Sequence, residues 1–423
     1  MNRRVATLAA RPPALRRVRA LARTPAARAA AGAFCLSRAL AFLIATYAAF
    51  PLYERGSGVP RLVVPDASLD RLVAPFGRLN LVFAPLAKWD ALWYLEIARS
   101  GYSNPRTHGF FPLYPMVVRA VAGFSSSPGA LIVAGYVVAL AAFAGALYLL
   151  HRLVTLELGA DAASRTVWLI ALFPAAFVFG APYPESPFLL LSVGAFYAAR
   201  TERWAVAGAL ALLASATRSA GVVLIVPLAL FYLYGPSGRE HRRSVAHPFS
   251  RRFPLRRDAL WLALAPVGLG AFVAYLGLAY GDSFAPAGQR GAHGTLADGS
   301  VYAVVTKAIA GVGDVVAAPH AADLRPVQAI GALGLLALAI IATVGAFRRL
   351  PVAYGAYAAV VLALIVSRGA VVALPRYVAV VFPLFMWGAV AAEARRITST
   401  VLAVSAALLG VFTYQFATWT FVG

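Results

Sequence analysis

The chain has 423 residues, of which 61% are hydrophobic and 13% charged, and its mean hydropathy is +0.75. Soluble domains are about 45–50% apolar and about 25% charged, so an ordinary soluble enzyme is excluded and a polytopic, all-α membrane protein is expected. The net charge of +22 comes from 36 Arg and 2 Lys against 16 acids. No basic stretch is long enough for a nucleic-acid-binding domain. The excess reads instead as membrane orientation and attraction to anionic head groups. A single cysteine, Cys35, excludes an internal disulfide and a Cys-based metal site.

In chain order, residues 1–32 carry eight arginines and no acid. They read as a basic cytosolic arm ahead of a single membrane domain over 33–423. The first span is expected over Ala33–Tyr53. Ten further apolar runs follow near 128–150, 166–182, 185–199, 204–217, 219–235, 259–280, 326–347, 351–367, 372–391 and 397–418, about eleven spans in all. Two stretches, 54–127 and 281–325, are too long and polar to be plain connectors, and 236–258 is an Arg-rich loop.

Alternating sides from a cytosolic N-terminus puts 24 basic and 6 acidic residues inside, against 14 and 10 outside. That bias follows the positive-inside rule. Both long polar stretches then become extracytoplasmic loops. The turns at Pro184-Glu185, Thr217-Arg218-Ser219 and Pro375-Arg376-Tyr377 fall on the same side. Polar groups gathered at one face are what a site at that face produces.

The densest polar segment runs from Lys88 to Tyr102 and reads as a short helix ended by Gly101. Asp90, Trp93, Tyr94 and Ile97 share one face, while Glu96 points elsewhere beside Arg99. The helix is expected to lie along the membrane surface, with its aromatics, Trp89 among them, anchored at head-group depth or stacked on a sugar. Two readings fit Asp90. It caps the helix, or it is a general base whose desolvated carboxylate takes a proton from a hydroxyl. Downstream, Pro112 and Pro115 argue against a regular helix across Phe110–Pro115. His108 reads as an acid, a phosphate contact or a surface histidine. Glu185 opens an apolar run, where it pairs with the helix dipole, binds an acceptor hydroxyl or steadies an arginine. Arg218 needs an anionic partner near a membrane, either Glu185 or Asp90 or a lipid phosphate, which suits a guanidinium fork, and Arg376 and Arg368 pose the same question. Gln289, Arg290, His293 and Asp298 read as an ordinary polar loop.

There is no phosphate-binding glycine loop, HExxH helix or Cys/His cluster of ligand spacing in the chain, so no nucleotide, metal or other cofactor is expected. The near absence of acids within the runs disfavours a proton-coupled pump.

The run Trp89-Asp90, Tyr94, Ile97-Ala98, Gly101-Tyr102 and Phe110-Phe111-Pro112-Leu113-Tyr114-Pro115 resembles the signature of the PIG-V type mannosyltransferase family. That family adds the second mannose in GPI-anchor assembly and has bacterial relatives. Tyr183-Pro184-Glu185-Ser186 and Ala216-Thr217-Arg218-Ser219 match in order, and Pro375-Arg376-Tyr377 with Phe382-Pro383 is similar to the close of the bacterial branch. The resemblance spans roughly 40–390. It implies a GT-C fold with a large first extracytoplasmic loop carrying juxtamembrane helices, a catalytic acid in that loop, and a polyprenyl-phosphate sugar donor. Asp90 inherits the base role. Arg218, Arg376, Arg290 and His108 become candidates for the donor phosphate, and Glu185, Trp89 and Tyr94 become acceptor or supporting residues. Between its Gly-Tyr and FFPLYP parts the eukaryotic motif has an acid, whereas this chain reads Ser-Asn-Pro-Arg-Thr-His-Gly. The resemblance therefore does not carry the acceptor over.

These readings imply an integral plasma-membrane enzyme with an extracytoplasmic site. It would be an inverting mannosyltransferase moving mannose from polyprenyl monophosphate mannose to a glycolipid, glycan or protein. The alternatives are a GT-C enzyme using another sugar such as arabinose, a transporter or lipid flippase, and a non-catalytic assembly partner.

Overall fold

A computed structural model describes residues 24–54, 76–235, 254–288, 305–306, 325–367 and 373–418, and these are helices and short connections with no strand. Arg290, Arg368, Gln289, His293, Asp298, most of the basic arm and most of the Arg-rich loop lie outside the described residues.

Helix α1 (Pro25–Glu54) starts where the Thr24 hydroxyl accepts the Ala27 N–H and Pro25 occupies the first turn. It therefore begins inside the segment read as the arm. Arg38, counted above as cytosolic, lies thirteen residues into α1 and is buried, its guanidinium 4.9 Å from the Phe143 ring centroid. Without Arg38 the inside still holds 23 basic residues, so the charge bias survives.

Two short helices follow, α2 (Asp90–Ser100) and α3 (Leu113–Val121). Next come α4 (Pro128–Leu158), α5 (Ala160–Ala171), α6 (Glu185–Arg200), α7 (Trp204–Thr217), α8 (Ile225–Tyr234) and α9 (Val267–Tyr280). The C-terminal part holds α10 (Arg325–Arg349), α11 (Val352–Ser367), α12 (Leu374–Ala379), α13 (Phe382–Ala394) and α14 (Thr398–Ala417). No regular helix runs across Phe110–Pro115, as the prolines imply, but one begins within it at Leu113. Pro112 is the N-cap of α3 and Pro115 sits in its first turn, where its missing N–H costs nothing.

Each of the eleven apolar runs lies on helix, but several are broken. The 166–182 run ends α5, is interrupted at Phe173-Pro174, and resumes as a 3-10 turn over Ala176–Gly180. The 372–391 run divides between α12 and α13. Among the described residues four helices (α1, α4, α10 and α14) are long and apolar enough to cross a membrane. A fifth span arises if Arg257–Leu264 and α9 count as one, bent by 44° at Pro266.

The core combines buried aromatics with small side chains where helices meet. Ala33, Ala41, Ala45 and Ala48 of α1 and Ala134, Ala139 and Ala146 of α4 are all buried, which lets backbones approach where no water drives association. α4 packs along α6, α6 along α7, and α14 along α1. A Cβ at Gly221 would overlap the backbone of Ala214, so only glycine lets the chain after α7 fold back onto it. Outward-facing side chains such as Leu43, Tyr47 and Leu278 are exposed and apolar, as a lipid-facing surface requires.

Candidate active site

α2 does not lie on the surface. Ala91 through Ala98 are all buried, and Trp93 is only 1% exposed. Trp93 stacks with Phe110 at 6.2 Å, and Tyr94 meets Phe110 and Tyr114 edge-on at 5.1 and 5.5 Å. Trp93 and Tyr94 are thus core residues rather than interfacial anchors, and they pull Gly109–Phe111 back over α2. Glu96 chelates Arg99 at 3.0 and 3.1 Å, as expected, and Gly101 ends the helix with φ +70°.

Asp90 is the first residue of α2, with Trp89 at the N-cap and no side-chain cap. Its carboxylate turns instead to Arg376, whose Nη1 donates to Oδ2 at 2.6 Å. Trp89 has φ +56°, a left-handed backbone that a bulky residue adopts only when its surroundings over-determine it, at a cost of about 1–3 kcal/mol. Those surroundings are visible at Lys88. Its Nζ donates to the carbonyl of Ala417, the last residue of α14, and its own carbonyl accepts the Tyr183 hydroxyl at 2.8 Å. Lys88 thereby places a cation at a helix C-terminus. Burial pushes its ammonium down to about 7.

Glu185 opens α6 and is 1% exposed. It sits at the positive end of the helix and also steadies arginines, so two of the sequence readings hold together. Oε1 accepts from Arg218 Nη1 and lies 3.3 Å from Arg376 Nε, while Oε2 has no hydrogen-bond partner. Arg218 follows α7 in extended backbone, its guanidinium 5.0 Å from the Tyr377 ring centroid. Arg376, on α12, is 5.2 Å from the same ring and 5.6 Å from that of Tyr183. The shared aromatic faces hold both cations in place.

These four charged groups line one cavity of about 200 Å³ together with Tyr94, Gly109, Phe110, Tyr183 and Tyr377. That volume equals roughly seven waters at about 30 Å³ each. It suits a single sugar ring and a phosphate better than a long glycan. A larger apolar recess of about 640 Å³ between Phe76, Val121 and the start of α4 carries no ionisable side chain.

Asp90, Glu185, Arg218, Arg376 and Tyr94 are therefore brought together. Trp89 shapes the backbone rather than the cavity wall. His108 is buried beside the cavity without lining it. Its Nε2 faces the Tyr102 carbonyl at 3.1 Å and its Nδ1 faces Asp282 at 3.3 Å, so it latches the loop after α2 to the end of α9. Lys88, Tyr183 and Tyr377 were quoted in motifs, but no role was read for them. The signal that points to one of them is the rarity of lysine, with Lys88, one of two in the chain, directly before the Trp-Asp pair. Among the described residues no His/Cys/Asp/Glu group of metal-binding kind occurs.

The Archaeoglobus fulgidus oligosaccharyltransferase tethered with an acceptor peptide aligns at a TM-score of 0.45 and 15% identity, over 92% of this chain and 56% of that one. The same enzyme in complex with zinc and sulfate aligns at 0.39 and 14%, over 78% and 48%. GPI mannosyltransferase 2 of Chaetomium globosum is 31% identical over 161 residues, which are 34% of this chain and 33% of that protein. The chain thus matches about a third of the length of this curated relative. The model of the family described as Mannosyltransferase (PIG-V) matches residues 67–233. That segment holds Lys88, Asp90, Glu185 and Arg218, with Arg376 beyond its end, and over it the chain is similar to the PIG-V mannosyltransferase family.

Proposed function

We propose that the chain is a membrane glycosyltransferase, an inverting mannosyltransferase that moves mannose from polyprenyl monophosphate mannose to a glycolipid, glycan or protein acceptor. The observation that carries this reading is a carboxylate, Asp90, that lines a sugar-sized cavity together with two guanidinia, Arg218 and Arg376. The reaction needs a base and an anion clamp, and this geometry offers both. Asp90 takes the proton of the acceptor hydroxyl as that oxygen bonds to the anomeric carbon. The carbon–phosphate oxygen bond breaks, its electron pair leaves with the lipid monophosphate, and Arg376 and Arg218 hold the developing charge. A phosphate leaves readily, so no strong general acid is needed. The positive-inside bias supports a cytosolic N-terminus and an extracytoplasmic site.

The test is transfer by purified protein from radiolabelled polyprenyl-phosphate mannose, with the arabinose and glucose analogues in parallel. Mannose transfer is expected, and Asp90→Asn should lower it by about 10²–10⁴-fold without unfolding the protein. Transfer from none of the donors, or full activity in a folded Asp90→Asn, overturns the proposal.

A further inference from the structure

The Asp90–Arg376 pair poses a problem for the reading above. A carboxylate bonded to a guanidinium gives up that bond when it takes a proton, so it is a poor base while the pair holds. Arg376 is partly committed. Its Nη1 is on Asp90 at 2.6 Å, its Nη2 donates to the Tyr377 hydroxyl at 3.3 Å, and its Nε lies 3.3 Å from Glu185 without a hydrogen bond. A phosphate that seats on the Nη1 side meets a carboxylate already bonded there. Among the described residues the cluster is also electrically balanced, with two carboxylates against two guanidinia. An arriving anion therefore has to compete with an anion already there.

The two carboxylates are not equally displaceable. Glu185 is more deeply buried, holds Arg218 as well as the edge of Arg376, and opens a long helix. Asp90 pairs with Arg376 and is 17% exposed, at the wall of the cavity, against 1% for Glu185. The anion that yields is Asp90.

We propose that Arg376 is handed from Asp90 to the phosphate of the sugar donor, and that this exchange frees Asp90 to act as the base. The inference rests on the donor class proposed above and adds the order of events. The base is weak in the empty site and becomes competent once the phosphate is seated, which guards against premature proton uptake. Glu185 stays in place and keeps both guanidinia oriented through the exchange.

One consequence separates this from a site in which Asp90 and the phosphate do not interact. If they compete for Arg376, removing the charge of Asp90 must strengthen phosphate binding, even as it abolishes transfer. The experiment measures binding of a soluble ten-carbon prenyl phosphate to the full-length protein in detergent, by calorimetry, with thermal unfolding to confirm folding. Asp90→Asn is expected to bind about tenfold tighter than wild type, within the usual range of coupling between sites. Arg376→Gln should bind at least about tenfold more weakly. In the double variant the Asp90→Asn gain should vanish, because the shared partner is gone. Asp90→Ala gives the same comparison if the amide does not fold. Equal or weaker binding by the Asp90 variants, with wild type binding normally, overturns the handover and leaves the donor class standing. Failure of the wild type to bind the prenyl phosphate overturns the donor class and the handover with it.

Discussion

Helix α6 carries a buried ion-pair cluster at each end, and the two differ in one respect. At its last residue, Arg200 Nε donates to Glu157 at 2.7 Å, and the Tyr354 hydroxyl donates to the same oxygen at 3.1 Å. At its first residue, roughly 22 Å away at 1.5 Å per residue, Glu185 meets Arg218 and Arg376, and Arg376 is shared with Asp90. The Glu157 cluster matches one carboxylate to one guanidinium. The Glu185 cluster divides two guanidinia between two carboxylates, leaves Oε2 without a donor, and opens on a cavity. A closed pair holds helices together. A pair with a shared partner and an open wall can exchange that partner for a ligand.

The sharpest way to break this comparison is the same substitution at both ends. Glu185→Gln removes the anchor of both guanidinia and should lower transfer by about 10²-fold. Glu157→Gln should leave transfer per folded molecule within about twofold. It should instead cost about 3 kcal/mol of stability, the low end for a broken buried pair because Arg200 stays partly solvated. Transfer assays and denaturant unfolding in detergent decide between them. Equal losses of activity would erase the distinction.

A smaller effect concerns Lys88, which pins the strained segment before Asp90. Burial lowers its folded pKa from 10.5 to about 7. Between those values the unfolded chain binds more protons at this site than the folded one, so stability should rise with pH from about 7 toward about 10. Below about pH 7 the full penalty for charging the buried amine is present, and above about 10.5 it is gone. Lys88→Met should flatten that rise, as seen in unfolding midpoints across pH. It should also slow transfer by loosening the Trp89 backbone. A variant with the wild-type pH slope would show that Lys88 is not the group responsible.

The smallest effect is expected at His108, which latches two loops without touching the cavity. His108→Ala should cost about 1 kcal/mol in stability, the worth of a typical hydrogen bond, and change transfer by less than about tenfold. A loss as large as that of Asp90→Asn would return His108 to the catalytic machinery.

Much of this was legible in the chain itself. Asp90, Glu185, Arg218 and Arg376 each stood out because a charge beside a long apolar run is costly and therefore conspicuous. Arg38 was misread for a related reason. Near the start of an apolar run it looked like the end of a basic arm, and only the packing of α1 against Phe143 buries it. The helix at Asp90 was expected at the surface because its pattern is amphipathic. In the structure Phe110, Tyr114 and the helices around them cover the face meant for lipid.

The sequence alone determined the membrane class, the helical content and the short list of charged groups, because hydropathy and turn chemistry are local properties read within about twenty residues. It could not say that Arg376 faces Asp90, 286 positions away, or that Lys88 ties down the end of α14 across 329. Those pairings follow from which helix ends converge. That convergence is decided by the fit of small and aromatic side chains over the whole bundle, and a linear pattern does not contain it.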